Sequence, residues 1–444
     1  MKTRMAAATL VALLGLVLAT SAVADPGSVA ISQLDDSDGA LDGRDRSFLP
    51  PYDAALVVEW NETAYELAFA EDQFFTFKGV RAFAMMHLAI HDALNAIVAR
   101  YETYAHHVRD PNADPIAAAA QAAHDVLSSQ YPGAQNVLDG LLAEWLERVP
   151  SGDARNRGVE LGADSAAAVL DLRAGDGFDF VGTYTFGSGP GVYKTTPPWD
   201  GFVFRPGFRW ARPFALQSGD QFRPPPPPSL SSRTYARAFN EVRDFGRIHS
   251  DVRTEEQTDI AVWWMEFTEG SMNRLAREIV TEQGTNLWKA ARLFALLDLS
   301  MFDGYVSVWD SKFAHNHWRP YTAIRTAAKD GNSSTMPDDS WEPLQTTPPF
   351  PEFASAHGAV CSSSLTTLAR EFGNRLSFEM QTTTAPAGMP TRSFASFDQA
   401  AEECAGSRVL LGWHFRYATK AGLKLGRRVA TYAGEHLLEP QGKN

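Results

Sequence analysis

Cysteine is scarce in this chain, positive charge is outweighed, and sustained strand-type alternation is almost missing. Two cysteines, Cys361 and Cys404, in 444 residues allow no more than one intrachain disulfide. Asp and Glu outnumber Lys and Arg 53 to 40, a formal net charge of −13. A general nucleic-acid surface wants a basic face, so no nucleic-acid partner is expected. After the first two dozen residues no stretch reaches membrane-spanning length without charges, so no membrane span is expected once the leader is removed. No internal repeat is visible. What is there is an ordinary globular balance, 44% hydrophobic and 21% charged, in a chain long enough for one large or two ordinary domains.

Lys2 and Arg4 precede a short apolar run, Ala6 to Ala19, and Ser21-Ala-Val-Ala24 ends in a small-x-small site. Residues 1–24 therefore read as a secretory signal peptide cut before Asp25, the run being short for a membrane anchor. A secreted or periplasmic protein is expected. An oxidising compartment permits a bridge between Cys361 and Cys404, the alternative being two unpaired buried thiols. Residues 25–50 are polar and without periodicity, and read as a mobile leader.

Helical spacing then organises residues 51–173 as an N-terminal helical half. Trp60, Ala64, Leu67 and Ala68 share one face, as do Val80, Phe83, Ala84, His87, Leu88 and His91. Further helices are expected over Ile116–Gln130, Ala134–Glu147 and Gly158–Arg173. Residues 174–233 break the pattern with Gly, Pro and aromatics at a density that excludes regular helix. A solvated linker would not usually carry Tyr193, Trp199, Phe204, Phe208 and Phe214, so an ordered crossover bordering a site is expected. Helical periodicity returns over residues 234–444, through Thr254–Phe267, Ser271–Glu282, Asn286–Ala314, His357–Phe372, Phe397–Tyr417 and Thr419–Leu438. The expected class is all-α: helical bundles in two halves joined by an irregular crossover.

Three segments of the last third carry cationic or imidazole groups. In the first, Lys312 and Arg319 are seven residues apart. On a helix that spacing returns to nearly the same face roughly 10.5 Å along the axis, so two long cations can meet one anion. Pro320 would end or bend that helix. The neighbours Phe313, Trp318 and Tyr321 do not suit a solvated basic face. In the second segment, Ser355, Ala356 and His357 follow a proline-rich loop and precede a helical run. Amides at a helix start favour anions, and Ser355 adds a hydroxyl. An ordinary Ser N-cap is the plainer reading of this segment alone. In the third, Arg408 and His414 are six apart, not a same-face spacing, although arginine's reach and the close approach allowed by Gly412 can compensate.

Taken together, Lys312-x6-Arg319-Pro320, Ser355-x-His357 and Ser407-Arg408-x5-His414 resemble the vanadium-dependent haloperoxidase and type 2 phosphatidic acid phosphatase superfamily. Trp60-Asn-Glu-Thr63, the helix from His87 to Asn95 and the stretch Trp210–Pro228 look like the secreted bacterial haloperoxidase branch. The resemblance covers most of the chain after the leader. It implies an enzyme that oxidises halide with hydrogen peroxide to hypohalous acid, which halogenates a small organic acceptor. The implied cofactor is vanadate, with phosphate as competing occupant. His414 would be the axial vanadium ligand. Lys312, Arg319, Ser355, the Ala356 amide, His357 and Arg408 would surround the oxyanion. His357 would act as acid–base, and Lys312 would polarise the incoming peroxide. The alternative is a phosphomonoesterase in which His414 becomes a phosphohistidine and His357 protonates the leaving group. A non-catalytic secreted helical binding protein is a third reading.

Two departures from the family pattern stand out. Ala356 replaces the usual glycine, which keeps the backbone N–H. Ala418 stands where the phosphatase branch has an aspartate. An imidazole that must attack phosphorus benefits from a carboxylate on its other nitrogen, so Ala418 tilts against phosphatase chemistry. Trp309 and Phe350 match aromatic positions that border the halide in the chloroperoxidase branch, although core packing explains them equally well. His87-x3-His91-Asp92 has metal-ligand spacing, but no Glu follows His87 and no third ligand is evident, so a structural role is expected. The apolar helical surfaces allow a homodimer without requiring one.

Overall fold

The computed structural model describes residues 52–71 and 77–442. The signal-peptide and leader readings, residues 1–24 and 25–50, lie outside them. Thirteen α-helices and one two-stranded sheet make up the regular structure of the described residues. The first half holds α1 (Ala55–Ala70), α2 (Lys78–Ile97), α3 (Pro115–Gln130), α4 (Gln135–Glu147) and α5 (Asp153–Arg173). The second holds α6 (Arg233–Phe245), α7 (Glu255–Trp263), α8 (Thr268–Glu282), α9 (Leu287–His315), α10 (Pro320–Arg325), α11 (Ala356–Phe372), α12 (Phe397–Leu410) and α13 (Arg416–His436). Strands β1 (Phe378–Gln381) and β2 (Thr391–Phe394) pair antiparallel between α11 and α12. The expected all-α architecture of two helical halves holds.

Local chemistry starts the helices where the sequence allows it. Asp114 caps α3 by accepting from Ala117 N–H, with Pro115 at the first helical position. Asn286 caps α9 through Lys289 N–H. From Leu287 to Lys312, α9 is buried almost throughout, as a central helix must be. It packs along α2 on one side and α11 on another. Helices α11 and α13 meet backbone to backbone. A Cβ on Gly422 would sit 2.5 Å from the Ser355 carbonyl, and one on Gly426 would collide with that of Ala359. This close approach fixes the start of α11, where Ser355 and Ala356 lie.

Between α5 and α6 the chain has no α-helix, only a 3-10 turn at Pro206–Trp210. Asp303, buried on α9, accepts from the N–H groups of Phe214, Ala215 and Leu216 and so pins this stretch. Val192 bridges to His317, and Phe204 N–H bonds to Pro349 O. Irregular backbone thus lies along the segments that flank Arg319 and Phe350.

Four features differ from expectation. The helix through Lys312 ends at His315, because Asn316 adopts a left-handed conformation (φ 49°), and Arg319 follows in extended backbone. Lys312 and Arg319 therefore do not share a helix face. Helix α12 stops at Leu410 rather than near Tyr417, because Gly412 turns the chain at φ 80°. Helix α7 stops at Trp263 rather than Phe267. The β1–β2 hairpin is too short to show as alternation. Cys361 on α11 and Cys404 on α12 form a disulfide with a Cα–Cα distance of 6.6 Å, closing a separation of 43 residues. In the chain-entropy picture such a loop stabilises by about 4 kcal/mol. No helix among the described residues is long and apolar enough to cross a membrane.

Candidate active site

Three helix ends bring the cationic groups together. Arg319 is the residue before Pro320 at the start of α10. Its Nε donates to Phe350 O and its Nη1 to Trp413 O, both at 2.9 Å. Its Nη2 is buried with no hydrogen-bond partner among the described residues. Arg408, in the last turn of α12, gives Nε to Ser407 Oγ (3.0 Å) and Nη2 to Trp264 O, and its Nη1 is likewise buried and unpartnered among the described residues. Each guanidinium is thus clamped, with one terminal nitrogen left over. Burial pushes Arg319 down to about 10 and Arg408 down to about 9, and both stay cationic at neutral pH.

The early end of α7 supplies two of the clamps. The Trp264 and Glu266 carbonyls lie beyond the helix. Trp264 O takes Arg408, and Glu266 O accepts from His357 Nε2 at 3.2 Å. His357 is half-buried. Burial first, then the Arg408 charge, holds it well below the ordinary histidine range, so the ring is neutral. Ser355 is the N-cap of α11, where its hydroxyl oxygen accepts from Gly358 N–H at 3.4 Å and leaves the O–H proton to donate.

His414 lies in the turn between α12 and α13. Gly412 is required there by its positive φ, and also because a Cβ would meet Gly246 O at 2.5 Å. That turn points His414 back into the cage although Arg408 is only six residues away. Its Nε2 is 3.2 Å from Arg319 Nη1, and its Nδ1 is 2.9 Å from Glu352 Oε1. Arginine can only donate, so Nε2 carries the lone pair and Nδ1 the proton. Burial, then the charges of Arg319, Lys312 and Arg408, hold the imidazole well below its ordinary range. The Arg319–His414 and Glu352–His414 contacts bring the three segments together.

Lys312 is fully buried, and burial, then Arg319, lowers its pKa well below that of an ordinary lysine. Its Nζ donates to the carbonyls of Pro351 (3.1 Å), Glu352 (3.0 Å) and Ala354 (2.7 Å). Its three protons are spent on this loop, so any anion would meet the ammonium in competition with these carbonyls. Phe350 lies against both cations, 5.1 Å from Lys312 Nζ and 4.9 Å from Arg319 Cζ, and Trp309 packs behind it with ring centroids 4.8 Å apart. Phe204 and Phe208 of the crossover complete the aromatic wall behind Trp309.

Glu352 was not among the residues singled out from the sequence. It is buried, and Oε1 accepts from both His414 Nδ1 and Phe415 N–H (3.0 Å). Burial raises its carboxyl to about 8, opposed by Arg319 and Lys312. It is the sole carboxylate within Lys312–Pro320, Phe350–Gly358 and Ser407–His414, which was the signal available. Ala418 therefore does not leave the imidazole unheld: a carboxylate reaches Nδ1 from the loop before α11 instead. The argument against phosphatase chemistry that rested on Ala418 falls.

His87, His91 and Asp92 do not form a common site. His87 Nε2 faces Asn61 Nδ2 (3.0 Å), His91 Nε2 faces Glu102 O (3.0 Å), and Asp92 accepts from the amides of residues 104–106. Among the described residues no group of three His, Cys, Asp or Glu is placed to hold a metal ion.

Comparison with known proteins agrees with this geometry. Residues 292–441 match the family model of the VCPO second helical-bundle domain. A bacterial vanadium-dependent iodoperoxidase superposes with a TM-score of 0.73 and 24% identity, over 88% of this chain and 98% of its own. A bacterial vanadium-dependent chloroperoxidase in its holo form superposes with a TM-score of 0.63 and 18% identity, over 89% of this chain and 94% of its own. The apo form gives the same TM-score over 80% and 93%. No curated protein matches the chain. Residues 292–441 thus match the VCPO second helical-bundle domain, and the chain has the fold of the bacterial vanadium-dependent haloperoxidases it superposes on.

Proposed function

We propose that the chain is a vanadate-dependent haloperoxidase that oxidises halide with hydrogen peroxide. The observation that carries this reading is the pair of clamped guanidiniums, each with one buried nitrogen, Arg319 Nη2 and Arg408 Nη1, that has no partner among the described residues. A buried donor without an acceptor is costly, so these atoms mark where an oxyanion belongs. The donor set fits vanadate in particular. Two guanidiniums, a serine hydroxyl and a helix-start amide suit its oxygens, and the His414 Nε2 lone pair suits the metal.

Bound vanadate would supply the Lewis acidity that makes hydrogen peroxide electrophilic towards halide. The protein residues do the rest. Arg319 and Arg408 neutralise oxygen charge from opposite clamps. Ser355 O–H and Ala356 N–H orient the anion at the start of α11. His357 donates a hydrogen bond from Nε2–H to Glu266 O, which leaves Nδ1 to accept a proton from peroxide and return it to the leaving oxygen. Phe350, with Trp309 behind it, sets a low-polarity wall beside two cations, an environment suited to a poorly hydrated anion such as a halide. Phosphate competes for the same cage.

Glu352 supports a second reading. A neutral imidazole whose Nδ1–H is held by Glu352 Oε1 is a competent nucleophile, so a phosphomonoesterase through His414 uses the same atoms. One paired assay separates the two. Halogenation of an indicator dye is expected with vanadate, peroxide and iodide, bromide or chloride, together with weak or no turnover of an aryl phosphate by vanadate-free protein. Aryl phosphate turnover without halogenation under any vanadate condition would sink the leading reading.

We also place the protein outside the cytoplasm. The Cys361–Cys404 bridge suits an oxidising compartment. N-terminal sequencing of protein recovered from the periplasm or medium should begin at Asp25, and a Met1 start in that fraction would contradict it.

A further inference from the structure

We propose that Glu352 is a positioning residue that fixes His414 as the Nδ1–H tautomer with its Nε2 lone pair turned into the cage, and that Lys312 holds Glu352 in place to do so. The proposal deepens the oxyanion reading of this site and rests on it. It requires only the geometry around the imidazole.

Two partners bracket the His414 ring. On one edge Glu352 Oε1 is 2.9 Å from Nδ1, and on the other Arg319 Nη1 is 3.2 Å from Nε2. Oε1 also accepts from Phe415 N–H at 3.0 Å, so this oxygen is an acceptor whether or not the carboxyl carries a proton on Oε2. The ring is therefore held at a donor edge and an acceptor edge in one orientation. An imidazole that must present a lone pair to an electrophilic centre needs this, because the wrong tautomer points a proton at it.

The support for Glu352 is itself built. Its carbonyl and those of Pro351 and Ala354 converge on Lys312 Nζ, at 3.0, 3.1 and 2.7 Å. Its N–H bonds to His317 O at 2.9 Å, and the Arg319 Nε bonds to Phe350 O two residues earlier. A lysine buried at such cost, with all three protons given to one loop, has that loop as its task. The path runs from Lys312 through residues 351–354 to Glu352 and from there to His414. Oε2 of Glu352 is buried with no partner among the described residues, so the carboxyl is anchored by its inner oxygen alone.

The test is made first without any oxyanion. In the full mature chain labelled with 15N-histidine, the His414 ring, identified by the loss of its signals in His414→Ala, should show a protonated Nδ1 and a bare Nε2. In Glu352→Gln the amide oxygen can still accept from both N–H groups, so the tautomer is kept. In Glu352→Ala and in Lys312→Met only Arg319 Nη1 still holds the ring, so a part of the Nε2–H tautomer should appear beside the Nδ1–H form, and orthovanadate affinity should fall ten-fold or more while circular dichroism stays native. Wild-type protein with Nε2 protonated would overturn the proposal, as would a folded Glu352→Ala that keeps a single Nδ1–H tautomer and unchanged orthovanadate affinity. If Glu352→Ala does not fold, the wild-type and Gln tautomers decide the matter. Failure of the oxyanion reading looks different: wild-type protein would then bind no orthovanadate whatever its tautomer.

Discussion

His414→Ala should abolish vanadate binding and halide oxidation while leaving phosphate binding measurable. The guanidiniums, Ser355 and the Ala356 amide donate hydrogen bonds and His357 exchanges protons; His414 Nε2 offers the lone pair suited to a metal, with the proton held on Nδ1 by Glu352, and a bound vanadium would replace the Arg319 bond that Nε2 now accepts. Vanadate needs that lone pair as a ligand, whereas phosphate held as an ion needs only the donors. The loss for vanadate should be three orders of magnitude or more, about 4 kcal/mol. For phosphate it should stay near ten-fold. The variant leaves Glu352 Oε1 with only Phe415 N–H as a partner, which should lower stability by about 1–3 kcal/mol, so thermal denaturation must show a folded protein first. Intact vanadate affinity in the folded variant would show that His414 is not the ligand.

Arg408→Ala is the second large effect, and it should strike both anions alike. Arg408 Nη1 and Arg319 Nη2 are the two terminal guanidinium nitrogens that are buried with no hydrogen-bond partner among the described residues. A hydrogen bond to a charged group contributes roughly 1.5–3 kcal/mol, so both phosphate and vanadate should weaken by about 10- to 150-fold. Arg408→Lys should recover little. A single ammonium cannot hold Trp264 O and Ser407 Oγ and still present a donor in the plane where Nη1 lies. Calorimetric titration with inorganic phosphate reads this without any turnover. Unchanged phosphate affinity in folded Arg408→Ala would remove Arg408 from the site. The contrast between the two variants is the stronger statement: one separates vanadate from phosphate, the other does not.

Much of this arrangement was legible in the sequence. The helices of the first half follow from apolar spacing: the one expected over Ile116–Gln130 spans Pro115–Gln130 and is capped by Asp114. The three cage segments were legible as residue types and order. Their geometry was not. Lys312 and Arg319 looked like one helix face, yet Asn316 ends that helix, and both cations meet at Phe350 instead. Arg408 and His414 looked badly spaced for a helix because they are not on one; the turn at Gly412 is forced by the close approach of Gly246, a contact 166 positions away in sequence that no local pattern encodes. Glu352 stands within Phe350–Gly358, but its contact with His414, 62 positions away, is made only by the fold. Spacing to Arg319 and the family resemblance point to Lys312 as an anion contact, whereas its protons go to three carbonyls that only the folded loop places together.

The central claim is that Arg319, Arg408 and His414 form one site that takes a tetrahedral oxyanion and binds vanadate through an imidazole. Equilibrium titration of the wild-type protein with orthovanadate, repeated in the presence of inorganic phosphate, tests it most directly. The account predicts one vanadate per chain, displaced competitively by phosphate. Vanadate binding that phosphate does not displace, or no binding at all, would contradict it.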